Sequence, residues 1–374
     1  MIYLDNSSTT HKKPKSVIST ATLGMKKYSI NPSRVGYKRG IEVQEEVFKC
    51  REKLSEYIGT TADKIIFTSG CTSAINMGLR GTAKRNGHII TTIFEHNSVL
   101  RTLEDLKQTH NISYTTLTPN KEGQIPTSEI AKAIKSNTYM IIINHTSNVT
   151  GATQNIEKIG KIAKKHNLIF FVDGAQSVGH EKINMQEMNI NLLSIAGHKG
   201  LYAPQGIGVL AINDCIVTPT KTGGTGTYSE KLKQPTNYPE GLESGTQNIV
   251  GILGLYAGLE FVIKHQEKIN TKIHTLTQYL VDKLNKIKNI EIFAHNISSG
   301  VISISIKNKD SVFVSQILDE AYNICTRSGL HCAGLVHKYY KTLKTGLVRI
   351  SLSYFNNKNE LNKIISALEK IALS

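Results

Sequence analysis

The stretches "YMIII" and "LIFFV" are apolar at every position rather than at every second one. A strand that shows one face to water alternates, and these do not, so a sheet built from them is covered on both faces. The runs "KIIFTSG", "HIITTIFEH", "SYTTLT", "LLSIAGHKG" and "GIGVLAI" extend the series, with helical patterns between them. Short apolar strands alternating with helices predict an α/β protein around a mainly parallel sheet.

At 374 residues and 39% hydrophobic content, the chain can bury the core of one large domain and a smaller companion. The texture changes after about Gly251. A long helical stretch, "NIVGILGLYAGLEFVIKHQEKINTKIHTLTQYLVDKLNKI", leads into "IEIFAHN", "VISISIKN", the helical "SVFVSQILDEAYNIC", "LVRISLS" and a last helix "ELNKIISALEKIAL". We expect a large ligand-binding α/β domain over 13–250. A small α/β domain over 251–374 is expected to take in residues 1–12.

Nothing approaches the ~20 consecutive apolar residues of a membrane helix, and "MIYLDNSSTT" lacks the basic start and apolar stretch of a signal peptide. The expectation is a soluble, cytoplasmic protein with no membrane partner. The net charge of +16 raises the question of nucleic acid. The lysines are scattered, with no basic tail and no aromatic–basic motif, so a lysine-rich solvated surface is expected instead, with no nucleic-acid partner. The five cysteines, Cys50, Cys71, Cys215, Cys325 and Cys332, are odd in number and form no C-x-x-C pair. They fit neither a disulfide framework nor a zinc site, and no metal is expected. Reduced thiols fit, one of them reactive. Cys325 reads as a packed thiol inside its helix.

In parallel α/β sheets ligands gather beyond the carboxyl ends of the strands. "IIFTSGCTSAIN" is a strand, a glycine turn and a hydroxyl-rich helix start, where free N–H groups at Cys71, Thr72 and Ser73 suit a phosphate. "LIFFVDGAQSVGH" ends its strand on Asp173, with Gln176 three residues on, and "LLSIAGHKG" places Lys199 beyond another strand. Each also fits an ordinary role taken singly: Thr72 or Ser73 as an N-cap, Asp173 as a helix cap, Lys199 as a loop lysine. Together they meet the needs of pyridoxal 5′-phosphate: an amine for its aldehyde, a carboxylate for its ring nitrogen and an anion site for its phosphate.

The chain resembles the class V aminotransferase family of pyridoxal-phosphate enzymes, and within it the cysteine desulfurases. The resemblance spans nearly the whole chain. "YLDNSSTT" is similar to the family's opening Y-L-D-N-A-A-T-T, and "EHNS", "SNVTG", "VDGAQ", "GHK", "SGTQN" and "SGLHC" follow in the family's order. The resemblance implies a type I fold of the pyridoxal-phosphate-dependent transferases. It also implies that Lys199 holds the cofactor as a Schiff base, Asp173 pairs with the ring nitrogen and Gln176 bonds the phenolic oxygen. His96 stacks on the ring and helps move protons. Cys71, Thr72 and His198 line the phosphate, and Thr246 reaches the phosphate of a neighbouring subunit in a homodimer. Asn148 and Arg349 hold the substrate carboxylate, with Arg327 close by.

Two positions depart from the family pattern. Ala196 stands where a serine or threonine is usual, and Cys71 where a threonine is usual. Both changes remove hydroxyls from the phosphate side.

The fold alone does not choose the reaction. Cys332, in "TRSGLHCAGLVH", matches the position where the family's R-x-G-x-x-C motif places the sulfur acceptor. Gly329 and Gly334 suggest a mobile loop, and Arg327 or His331 would supply a cation that favours the thiolate. The implied reaction converts L-cysteine to L-alanine, with a persulfide formed on Cys332 and passed to an acceptor protein. The short stretch between Cys332 and Arg349 resembles the second group of desulfurases, which includes selenocysteine lyases and whose cysteine loop is short and restrained. L-Selenocysteine is therefore a second candidate substrate, and iron–sulfur cluster assembly and tRNA thiolation are both open as destinations for the sulfur. The competing readings are another class V enzyme, an aminotransferase or epimerase with Cys332 a bystander, and a basic binding protein that kept the fold without catalysis.

Overall fold

The computed structural model describes residues 1–32, 36–295 and 297–373. The chain opens with β1 (Ile2–Tyr3), α1 (Lys15–Lys27) and α2 (Lys38–Ile58), then β2 (Ile65–Thr68), α3 (Cys71–Gly81), β3 (His88–Thr92) and α4 (Asn97–His110). Next come β4 (Ser113–Leu117), α5 (Thr127–Lys132), β5 (Thr138–Asn144), α6 (Ile156–Lys165), β6 (Ile169–Asp173), β7 (Leu192–Ala196) and β8 (Gly208–Ile212). The long helix α7 (Ile249–Leu284) leads to β9 (Ile290–Phe293), β10 (Val301–Ile306), α8 (Ser311–Tyr322) and β11 (Ile324–Cys325). The chain closes with α9 (Gly334–Tyr339), β12 (Val348–Ser351) and α10 (Lys358–Leu373).

Seven strands form the main sheet in the order β2-β8-β7-β6-β5-β3-β4. β8 runs antiparallel to both its neighbours, and the other pairings are parallel. The unbroken apolar runs are explained by burial on both faces: Ile141, Ile142 and Ile143 of β5 and Phe170, Phe171 and Val172 of β6 are all at 0% exposure. Truncating one of these phenylalanines to alanine would cost about 3–5 kcal/mol.

β12, β10 and β9 form a three-stranded antiparallel sheet. Its apolar face packs with Leu280 and Leu284 of α7, Leu318 of α8 and Leu368 of α10. β1 pairs in parallel with β11, Tyr3 opposite Cys325, and Ile2 and Leu4 join the same cluster.

Cys325 is therefore on a strand, not in the helix that the sequence pattern predicts. Asn323 takes the left-handed conformation at φ +54° and ends α8 two residues earlier. Asparagine tolerates that conformation at a helix C-terminus, and the chain then turns to pair with β1.

Gly208 is required where β8 passes the turn before α3. A Cβ there would lie 2.6 Å from the Gly70 Cα. That close approach brings the N-terminus of α3 down to the carboxyl ends of β6 and β7.

Candidate active site

The carboxyl ends of β2, β3, β5, β6 and β7 face the same edge of the main sheet, and their next residues meet there. Asp173, the last residue of β6, lies between Asn144 of β5 and Ser194 of β7 and is 2% exposed. Its Oδ1 accepts the Ala175 N–H at 3.0 Å, the Ser194 hydroxyl at 3.4 Å and the Cys71 thiol at 3.5 Å. Among the described residues it has no ion-pair partner. A buried carboxylate without a cation is costly, and a protonated pyridine nitrogen would complete it.

Lys199 stands three residues past β7. Burial pulls its amine below the ordinary lysine range, and the facing Cys71 and Asp173 oppose that shift. Desolvation of this kind makes an amine available as a nucleophile and base. His198 beside it is held neutral, at about 4, by burial and by Lys199 and Lys13. Among the described residues its buried Nδ1 has no hydrogen-bond partner. The Lys13 Nζ donates to the His198 carbonyl at 3.2 Å and to Thr10 at 2.7 Å, fixing the turn before Lys199.

Cys71 opens α3. Its thiol is turned to the Asp173 carboxylate, and burial, then the Asp173 charge, raise it well above the ordinary thiol range. The side chain therefore points to the acid and stays protonated, and only the backbone of Cys71 remains for a phosphate. Thr72 and Ser73 follow at the same helix start, and the Ser73 hydroxyl pairs with Ser69 at 2.7 Å.

His96 caps α4, its Nδ1 accepting the Ser98 N–H at 3.1 Å. Burial lowers its pKa, partly offset by Asp173. Gln176 donates to the Ser7 carbonyl at 3.0 Å, which ties the end of β6 to the N-terminal segment. Thr246 lies exposed in the loop before α7, lining a groove with Ser69, Ser73 and Gly206.

The second half of the site comes from the three-stranded sheet. Arg349 on β12 is 2% exposed. Its Nη2 reaches Asp5 Oδ1 at 2.7 Å and the Ser8 hydroxyl at 2.8 Å, and its Nη1 donates to the Asn148 carbonyl at 3.0 Å. Arg327 is bridged to Arg349 through backbone hydrogen bonds. The Arg327 Nη2 lies 3.9 Å from Cys332 Sγ.

The Cys332 loop is pinned, in contrast to the mobile loop that Gly329 and Gly334 suggest. The Asn148 Nδ2 donates to the His331 carbonyl at 2.7 Å, and the Asn97 N–H to the Cys332 carbonyl at 2.7 Å. Gly334 is already the first residue of α9. His331 and Cys332 both adopt left-handed backbone, at φ +51° and +56°, a conformation that side chains other than glycine adopt only when their surroundings enforce it. His331 is also no cation. Burial, then the charge of Arg349, hold it at about 2, so Arg327 is the positive group at the thiol.

Three contributors escape the sequence reading. Asp5 pairs with Arg349, and Ser8 touches both arginines. Glu95, at 0% exposure, accepts from the Thr92 hydroxyl at 2.7 Å and the Asn144 N–H at 3.0 Å. Burial pushes its carboxyl up to about 8. An acidic residue directly after the apolar run of β3 was the available signal. Among the described residues no group of His, Cys, Asp and Glu side chains could hold a metal ion. None of the described helices is long and apolar enough to cross a membrane.

A buried lysine, a strand-end acid and a helix N-terminus share one sheet edge in a fold of the type I class of pyridoxal-phosphate-dependent transferases. The chain belongs to the class V aminotransferase family, whose description matches residues 2–364. It is similar to a probable cysteine desulfurase of Borreliella burgdorferi, 33% identical with 99% of this chain and 92% of that protein covered. A probable cysteine desulfurase of Methanothermobacter thermautotrophicus is 31% identical, with 99% and 94% covered. The apo structure of a cysteine desulfurase from Thermococcus onnurineus superposes with a TM-score of 0.88 at 29% identity, covering 100% of this chain and 94% of that one.

Proposed function

We propose that the chain is a cysteine desulfurase that converts L-cysteine to L-alanine and carries the sulfur as a persulfide on Cys332. The observation that carries this reading is the 3.9 Å contact between Cys332 Sγ and Arg327, whose backbone pairs with the carboxylate-binding candidate Arg349. A thiol and a carboxylate site so placed suit a substrate that carries its own sulfur.

The residues present fit pyridoxal phosphate. Among the described residues Asp173 has no ion-pair partner, which the ring nitrogen would supply, and His198 Nδ1 has no hydrogen-bond partner; the N–H groups of Cys71 and Thr72 stand at the start of α3. When bound, the cofactor supplies an electron-withdrawing ring that makes the substrate's α-proton removable. Lys199 would hold the aldehyde and, once displaced, take that proton. His96 would cover the ring and Gln176 would turn to its phenolic oxygen. Thr72, His198 and the Cys71 backbone would hold the phosphate. Arg349 would clamp the substrate carboxylate, assisted by Asn148 and Arg327.

The Cys332 sulfur, beside Arg327, gives up its proton and forms the new S–S bond as the substrate's C–S bond breaks. The electron pair stays on the substrate carbon, and a proton completes alanine.

This reading includes a large domain over 13–250 and a small domain over 251–374 with 1–12. It also includes a homodimer in which Thr246 reaches the partner's phosphate, a cytoplasmic location, and an acceptor protein that takes the sulfur toward iron–sulfur cluster assembly. The restrained loop supports the second group of desulfurases. Purified holoenzyme given L-cysteine and a thiol reductant, which frees the persulfide sulfur as sulfide, should release alanine and sulfide in equal amounts, with no transamination of an α-keto acid. Replacing Cys332 with alanine should leave the yellow chromophore and abolish sulfide release. Transamination with a silent Cys332 would overturn the reading.

A further inference from the structure

Ser8 belongs to "YLDNSSTT", where the opening that this segment resembles carries alanine. Its side chain is fully engaged. The hydroxyl oxygen accepts from Arg327 Nη1 at 2.9 Å and from Arg349 Nη2 at 2.8 Å, and the hydroxyl proton goes to Asp5 Oδ1 at 2.8 Å. A hydroxyl has one proton and two lone pairs, and here all three are spent on charged partners.

The two arginines depend on it unequally. Arg349 keeps Asp5 and the Asn148 carbonyl if Ser8 is lost. The Arg327 side chain donates to Ser8 and approaches Cys332 Sγ, and among the described residues Ser8 supplies its one hydrogen-bonded oxygen. Without that anchor the guanidinium, beside another cation and facing a soft sulfur at 3.9 Å, has no reason to stay at the thiol.

We propose that Ser8 is a positioning residue that aims Arg327 at the Cys332 sulfur, so that sulfur transfer depends on it far more than substrate binding, for which Arg349 keeps Asp5 and the Asn148 carbonyl. The proposal rests on the reading of Cys332 as the persulfide carrier.

The test compares wild-type holoenzyme with Ser8→Ala and Ser8→Thr. Iodoacetamide alkylation of Cys332 at neutral pH is followed by peptide mass spectrometry, alongside kcat and KM for L-cysteine and the cofactor absorbance. Ser8→Ala should alkylate at Cys332 and turn over about tenfold more slowly, the scale of one lost hydrogen bond to a charged group. KM should stay within about twofold, because the carboxylate arginine keeps its other anchors. Ser8→Thr, which keeps the hydroxyl, should restore both rates. Wild-type alkylation in Ser8→Ala, a change confined to KM, or equal losses in both variants would overturn the proposal. Alkylation needs no turnover, so it tests Ser8 separately from the persulfide. A Cys332→Ser variant that still releases sulfide would remove the persulfide reading alone.

Discussion

The Asn148 amide donates to the His331 carbonyl at 2.7 Å, so the residue proposed to meet the substrate carboxylate also ties down the cysteine loop. Removing it with Asn148→Ala leaves that carbonyl, beside a buried His331, without its donor. Sulfide release should fall about tenfold or more, and hydrogen exchange across 328–333 should speed up. Unchanged exchange would show that the left-handed turn holds itself.

Arg349 forks three ways, to Asp5, Ser8 and the Asn148 carbonyl. A lysine has one ammonium and no fork, so Arg349→Lys is not conservative here. We expect kcat/KM for L-cysteine to fall about 10- to 100-fold. A fall carried by kcat alone would mean that Arg349 does not hold the carboxylate.

Glu95 is pushed up to about 8, from an ordinary 4.5, chiefly by burial, with the Asp173 charge adding to it against the hydrogen bonds from Asn144 and Thr92. Below the lower value both folded and unfolded chains hold this proton. As pH rises between the two values the unfolded chain loses it while the folded chain keeps it, so stability declines. Glu95→Gln should flatten that decline and exceed the wild type by on the order of 2 kcal/mol above about pH 8. Urea melts at about pH 5 and about pH 8 would show it, and parallel wild-type and variant slopes would contradict it.

Arg51 and Glu243 form a bidentate ion pair at 2.9 and 2.6 Å, with side chains only 6% and 5% exposed. Glu243 also accepts the Phe67 N–H and the Gln247 amide, each at 2.6 Å, and so sets the loop that carries Thr246. Arg51→Met strands a buried carboxylate and should cost about 3–5 kcal/mol, whereas pairing it with Glu243→Leu should recover part of the loss, the Phe67 N–H and the Gln247 amide having lost their acceptor. Thermal melts of the single and double variants decide this.

The main sheet was legible because burial on both faces writes unbroken apolar runs. Asp173 and Lys199 were legible as candidates because each follows such a run, and the structure brings both to one edge of the sheet. The failures share a cause: closeness that sequence order does not carry. The helical pattern runs through Asn323 into Cys325, and pairing with β1 ends it. The hydroxyl-rich start of α3 reads as a phosphate site, but the Cys71 side chain turns inward to Asp173. His331 reads as a cation beside a thiol, yet burial under Arg349 removes its charge. Ser8 reads as one of many N-terminal hydroxyls until the chain brings it to Arg327 and Arg349.

The most direct test is peptide mass spectrometry of Cys332 after holoenzyme has met L-cysteine in the absence of reductant or acceptor. The account predicts one added sulfur atom on the peptide containing Cys332, removed by a thiol reductant and absent from peptides containing Cys50, Cys71, Cys215 and Cys325. Alanine formation with Cys332 unmodified, or with the sulfur on another cysteine, would contradict it.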